Sequence, residues 1–186
     1  MVWRLFLTRE IIGLKSFVDR LFESSIIFFN SSHLNEWLNE FNINIIKAHW
    51  NNPERNKPNY VIKDGFWESK NIEKLPYRRG AIFAFWLDNQ ILKKSNYTKS
   101  LDDFMREILK ICTTQNRKFT DQLFLDLVYK YLNKDMTYFF QKHIINGVDF
   151  NLENKGLIDV FKIQEKKGIP QILLNNLSNY HHFFFR

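Results

Sequence analysis

The sequence predicts a mainly α fold, and three observations carry that expectation. Apolar residues recur at helical spacing along most of the 186 residues. Residues suited to helix N-caps stand where those periodic runs begin. Turn formers are gathered in one stretch, residues 51–76, which holds Pro53, Pro58, Asp64-Gly65 and Pro76. The chain is 45% hydrophobic and 17% aromatic, with 19 Phe. That is enough apolar surface to build a core, and it excludes a disordered tail.

Taken in order, Ile11 to Phe28 is predicted to be helical, though less regular than the rest. Leu34, Trp37, Leu38, Phe41 and Ile45 share one helix face, with Ser32 as N-cap. Residues 51–76 then break the periodicity and are expected to be a long loop. A second helix starts at Pro76-Tyr77, because proline's missing N–H would be unpaired in a first turn anyway. Gly80, Ala81, Ala84, Leu87 and Ile91 lie on one face of it, small enough for a neighbour to approach closely. Asp88 lies near the same face and would need a partner if buried.

Leu101, Phe104, Met105, Ile108, Leu109 and Cys112 predict the next helix. Ser100 and Asp103 there resemble a capping box, with Asp in place of Glu. Thr120 precedes a helix through Leu123, Phe124, Leu127, Val128 and Tyr131. Asp135 caps a short helix through Phe139, Phe140 and Ile144, which Gly147 ends. Cys112, the single cysteine, sits in an apolar stripe and reads as a small core residue rather than a nucleophile. It excludes an internal disulfide.

The net charge is +7. The lysines are spread out, and the densest basic clusters are pairs: Arg78-Arg79, Lys93-Lys94 and Lys166-Lys167. Scattered solvated charges form no stripe for nucleic acid, so no nucleic-acid partner is expected. No apolar run approaches the ~20 residues that span a bilayer. Arg4, Arg9 and Glu10 interrupt the N-terminal apolar residues, so a signal-peptide core is not expected either. A cytoplasmic protein without a membrane partner follows as the expectation.

Several segments, taken together, resemble the glycyl aminopeptidase family of gluzincin zinc metallopeptidases. They are Pro76-Tyr77-Arg-Arg-Gly80-Ala81, then Leu87-Asp88 and Ile91, then Ser100-Leu101-Asp102-Asp103-Phe-Met-Arg106. Upstream, Leu38-Asn-Glu-Phe-Asn42, Asn52-Pro53-Glu54-Arg55 and Trp67 are similar to the family's helix and loop. Downstream, Phe119-Thr120 and Phe139-Phe140 leading to Gly147 fit as well. The resemblance spans roughly residues 33–160. It implies a helical subdomain of a thermolysin-like catalytic domain, acting on peptides with N-terminal Gly or Ala. It divides the chain into residues 1–32, a remnant of the helix around the third zinc ligand; 33–160, the helical part of the catalytic domain; and 161–186, a C-terminal extension without a PDZ-like domain. Tyr77 takes the catalytic position whose phenol stabilises the tetrahedral intermediate.

The departures are as informative. In the family, H-E-x-x-H and a distant Glu hold zinc, and the motif Glu is the general base. Here the histidines are His33, His49, His143, His181 and His182. None precedes Glu, and no two are four apart. They read as surface or half-buried residues, so no zinc or other cofactor is expected in this chain. At the third-ligand position, aligned on Gly13, stands Ile12. Glu10 is either a displaced ligand or a surface carboxylate in a first helical turn. The aromatic tail, Tyr180-His-His-Phe-Phe-Phe-Arg186, either docks on the core or marks a truncated end.

The expectation is therefore a truncated or degenerate aminopeptidase relative, inactive alone. It would act on peptides only if a zinc-binding half complemented it. The alternative is a helical protein-interaction module on a peptidase-derived scaffold, forming a homo- or hetero-oligomer.

Overall fold

The computed structural model describes residues 31–175, side chains from Leu34 onward. The predicted helix at Ile11–Phe28, Glu10, Ile12, Gly13 and the aromatic tail with His181 and His182 lie outside the described residues. Within them the fold is mainly helical, as the spacing predicts.

Helix α1 covers Ser31–Phe41, so it already includes Ser31 and Ser32; Ser32 is not its N-cap. It continues through a π turn, Asn42–Lys47, into Ala48–Trp50. The extra residue of a π turn rotates the buried face by about 100° relative to an α-helix. Leu34, Leu38 and Phe41 are buried as the α-period predicts. Beyond Phe41 the fully buried residue is Ile46, with Ile45 only partly covered, and His49 follows it inward.

The stretch expected to be a long loop holds two short helices, α2 (Asn59–Gly65) and α3 (Lys70–Glu73). Pro58 and Ser69 stand at their N-caps. Ile62 and Phe66 from this stretch form a small second core with Leu75. The helices are too short for their periodicity to be read, which is why the sequence shows only turn formers.

Helix α4, Leu75–Lys94, is the central element, with Pro76 in its first turn. Fourteen of its residues are buried, on nearly every side rather than on one small-residue face. Helix α5 (Leu101–Thr114) buries Leu101, Phe104 and Ile108 against it. Leu109, expected on that face, is 63% exposed instead. Cys112 is half-buried at the edge of the core. The Ser100–Asp103 capping box forms, the Asp103 carboxylate accepting from the Ser100 N–H at 2.9 Å. Helix α6 (Asp121–Leu132) begins at Thr120, whose hydroxyl accepts from the Leu123 N–H at 3.1 Å. Helix α7 (Thr137–Phe140) passes into a second π turn, Gln141–Ile145. Asp135 holds its start by accepting from the Thr137 N–H at 2.8 Å.

The last described residues form a hairpin the helical spacing did not predict. Strands β1 (Phe161–Lys166) and β2 (Ile169–Leu174) pair antiparallel through a two-residue turn, Lys167-Gly168. Both turn residues have positive φ, 54° and 74°, which matches the twist of the flanking strands. Lys166-Lys167, read as a solvated basic pair, is thus the corner of this hairpin. Phe161 and Ile172 join the helical core.

Candidate functional site

Where α1 ends, a cleft opens between the two π-turn segments. It has a volume of about 250 Å3 including its open side. His49 from the turn Ala48–Trp50 that continues α1, Arg79 from α4, His143 from the second π turn, and Gly147, Asp149 and Phe150 line it. π turns frequently accompany functional sites because they re-aim side chains. Here the first one turns His49 inward.

His49 is 4% exposed, contrary to the surface or half-buried reading of the histidines. Its Nε2 lies 3.2 Å from Asp149 Oδ1, while its Nδ1 is buried without a hydrogen-bond partner. Burial lowers the His49 pKa below 6.5, outweighing the attraction of Asp149; Arg79 and Arg55 push it the same way. The ring is therefore neutral at pH 7, with Nε2–H donating to Asp149 and Nδ1 left as an acceptor.

Asp149 is the hub. Arg55 Nε donates to its Oδ2 at 2.8 Å. Asn56, with its carboxamide nitrogen turned inward, donates to both oxygens at 3.0 and 3.1 Å. Burial tends to raise the Asp149 carboxyl, but the hydrogen bonds from His49 and Arg55 outweigh it and hold the pKa below 3.8.

Arg79 corrects the reading of Arg78-Arg79 as a solvated pair. It is 4% exposed, and its guanidinium donates to Asn59 Oδ1 and the backbone oxygens of Ile144, Arg55 and Lys57 at 2.7–3.2 Å. Its fixed fork suits several acceptors that no single point charge could satisfy together. Arg78, half-buried, donates to Ala48 O at 3.2 Å.

Gly147 is required on two counts. Its φ is +74°, and an added Cβ would lie 2.4 Å from Lys57 O. The Asn52-Pro53-Glu54-Arg55 segment is ordered by Asn52, which is buried. Its carboxamide accepts from the Glu54 N–H at 2.9 Å and donates to Asn71 O at 2.9 Å.

Tyr77 sits elsewhere. Its half-buried ring packs against Ile62, Phe66 and Leu75, with Lys74 Nζ 5.9 Å from its centroid. It is not among the residues lining the cleft. Asp88, which needed a partner if buried, has one: it is 6% exposed and accepts from the Leu101 N–H at 2.7 Å.

The sequence pointed to Tyr77, Asp88, Ser100, Asp103 and Gly147. It gave no sign of the His49–Asp149 pair, whose members lie 100 residues apart. The one available hint was Arg55, in the quoted Asn-Pro-x-Arg segment. Among the described residues no three or more His, Cys, Asp or Glu are grouped so as to hold a metal ion. No described helix is long and apolar enough to cross a membrane. No protein-family model matches the chain, and no curated protein is significantly similar to it.

Proposed function

We propose that this chain is a degenerate relative of the glycyl aminopeptidase family: the helical part of a thermolysin-like domain, without hydrolytic activity of its own. The observation that supports this reading best is the bond between Asp88 and Leu101. Two of the quoted motifs, Leu-Asp-x-x-Ile and Ser-Leu-Asp-Asp, are separate in sequence, yet they meet in space, one capping the helix that the other begins. Asn52, Arg55 and Gly147, from other quoted segments, likewise have defined positions within one framework. The motifs would then be retained for the scaffold they build. Tyr77 is the residue this reading assigns to the oxyanion. With no H-E-x-x-H in the sequence, nothing in the chain activates water for it to assist.

Two measurements on the purified chain test this. Metal analysis after equilibration with zinc should find far less than one zinc per chain. Release of nitroaniline from glycyl and alanyl p-nitroanilides should stay at background. Chelator-sensitive hydrolysis would overturn the claim of inactivity, and hydrolysis surviving both chelator and Tyr77→Phe would overturn the family reading as well.

A second reading, a helical interaction module on the same scaffold, is favoured by Trp67 and Tyr60, 82% and 69% exposed beside the small core that holds Tyr77. Light scattering separates the two: a chain that stays monomeric at high concentration argues against self-association through these aromatics.

A further inference from the structure

We propose that His49 and Asp149 form an acid-released latch within the segment Gly147–Phe150, which holds the Asp149 side chain against the end of α1 when His49 is neutral and releases that side chain when His49 takes up a proton. The segment has no helix or strand of its own. It leaves the second π turn at Gly147, whose positive φ makes the corner. Asp149 is its polar attachment to the other side of the cleft, receiving His49 from α1 and Arg55 and Asn56 from the following loop.

The charges around His49 determine the direction. On the segment stands Asp149, and on the loop Arg55. On α4 stands Arg79, with Arg78 against the neighbouring carbonyl of Ala48. On the second π turn stands His143, whose Nδ1 lies 2.7 Å from Val148 O. Closed and neutral, His49 donates one hydrogen bond to Asp149. A second proton would sit on Nδ1, which is buried and has no acceptor. The imidazolium would then share one carboxylate with Arg55, with Arg79 also close by. Releasing Asp149 gives water access to that charge, so acid favours the open form. Val148 has its own anchor, the His143 Nδ1–H donating to its carbonyl. The motion is therefore centred on Asp149.

The Arg55 Nε–H, bonded to Asp149 at 2.8 Å, reports the closed latch. NMR can follow its exchange with water while the His49 ring titrates in the same samples. Exchange of this group is base-catalysed and should slow as pH falls. The latch predicts a rise relative to that trend, of at most about tenfold per pH unit for one coupled proton. The midpoint should coincide with the titration of His49, and the rise should vanish in His49→Gln. Protection of Arg55 Nε–H that persists through the His49 titration overturns the proposal. So does the same rise in His49→Gln. Should that variant fail to fold, the wild-type midpoints decide: coincidence supports the latch, and separation refutes it.

Discussion

The Asn42 carboxamide meets the backbone of Ile172 twice, donating to its carbonyl at 2.7 Å and accepting from its N–H at 2.9 Å. Ile172 pairs across the hairpin with Ile163, and Asn154 makes the same reciprocal contact with Ile163 on the opposite edge. Both edges of the two-stranded sheet are thus closed at their central pair by an amide that imitates a neighbouring strand. Asn42→Ala should lower stability by about 2 kcal/mol, because two backbone groups partly removed from water lose their partners. Asn154→Ala, at an exposed edge, should cost about 1 kcal/mol or less. Urea unfolding compares them, and an equal loss in both would contradict the burial argument.

Asp88 holds the first N–H of α5 from a neighbouring helix. Asp88→Ala leaves that donor buried and unsatisfied and should cost about 2 kcal/mol. Asp88→Asn keeps an acceptor of the same shape and should lose clearly less. Equal losses would show that charge, not the cap, matters at this position.

Arg79 joins α4 to the Arg55–Asn59 loop and to the second π turn. Lysine cannot reproduce a planar fork with several fixed acceptors. Arg79→Lys should therefore cost about 3 kcal/mol, charge retained. A thermal midpoint unchanged from wild type would show that the acceptors are satisfied without the guanidinium.

At Gly147 a side chain meets both a left-handed backbone and the carbonyl of Lys57. Gly147→Ala should cost about 3 kcal/mol. Gly168, also at φ +74°, has nothing within 4 Å of an added Cβ. Gly168→Ala carries the backbone strain alone and should cost about 1 kcal/mol. Unfolding midpoints that rank the two the other way would refute the close-approach argument.

Acid should destabilise the fold in two steps. The folded His49 pKa lies below 6.5, so the unfolded chain binds that proton first. Stability is highest above the unfolded value and falls as pH drops from about 6.5 toward the folded value. The folded Asp149 pKa lies below 3.8, so its contribution is present above that value and is lost as pH falls through the folded one. Urea midpoints between pH 7.5 and 5 should fall less in His49→Gln than in wild type. Parallel curves would remove His49 as the cause.

Local signals determined most of the helices. Ser100 with Asp103, Thr120 before Leu123 and Pro76 in the first turn of α4 each act within a few residues, so their chemistry could be read along the chain. The π turn at Asn42–Lys47 could not, because α-spacing through Ile45 predicts a face that the extra residue rotates away. The hairpin was hidden too: Lys167-Gly168 carries no strong turn signature, and β1 is mostly exposed. Tertiary structure alone decided the cleft. His49, Arg55, Arg79 and Asp149 are ordinary charged or polar residues along the sequence. They form one group because α1, α4 and the segment after the second π turn bring them together across up to 100 residues. Whether a histidine is solvated or buried beside an aspartate depends on what covers it, and residue spacing does not carry that information.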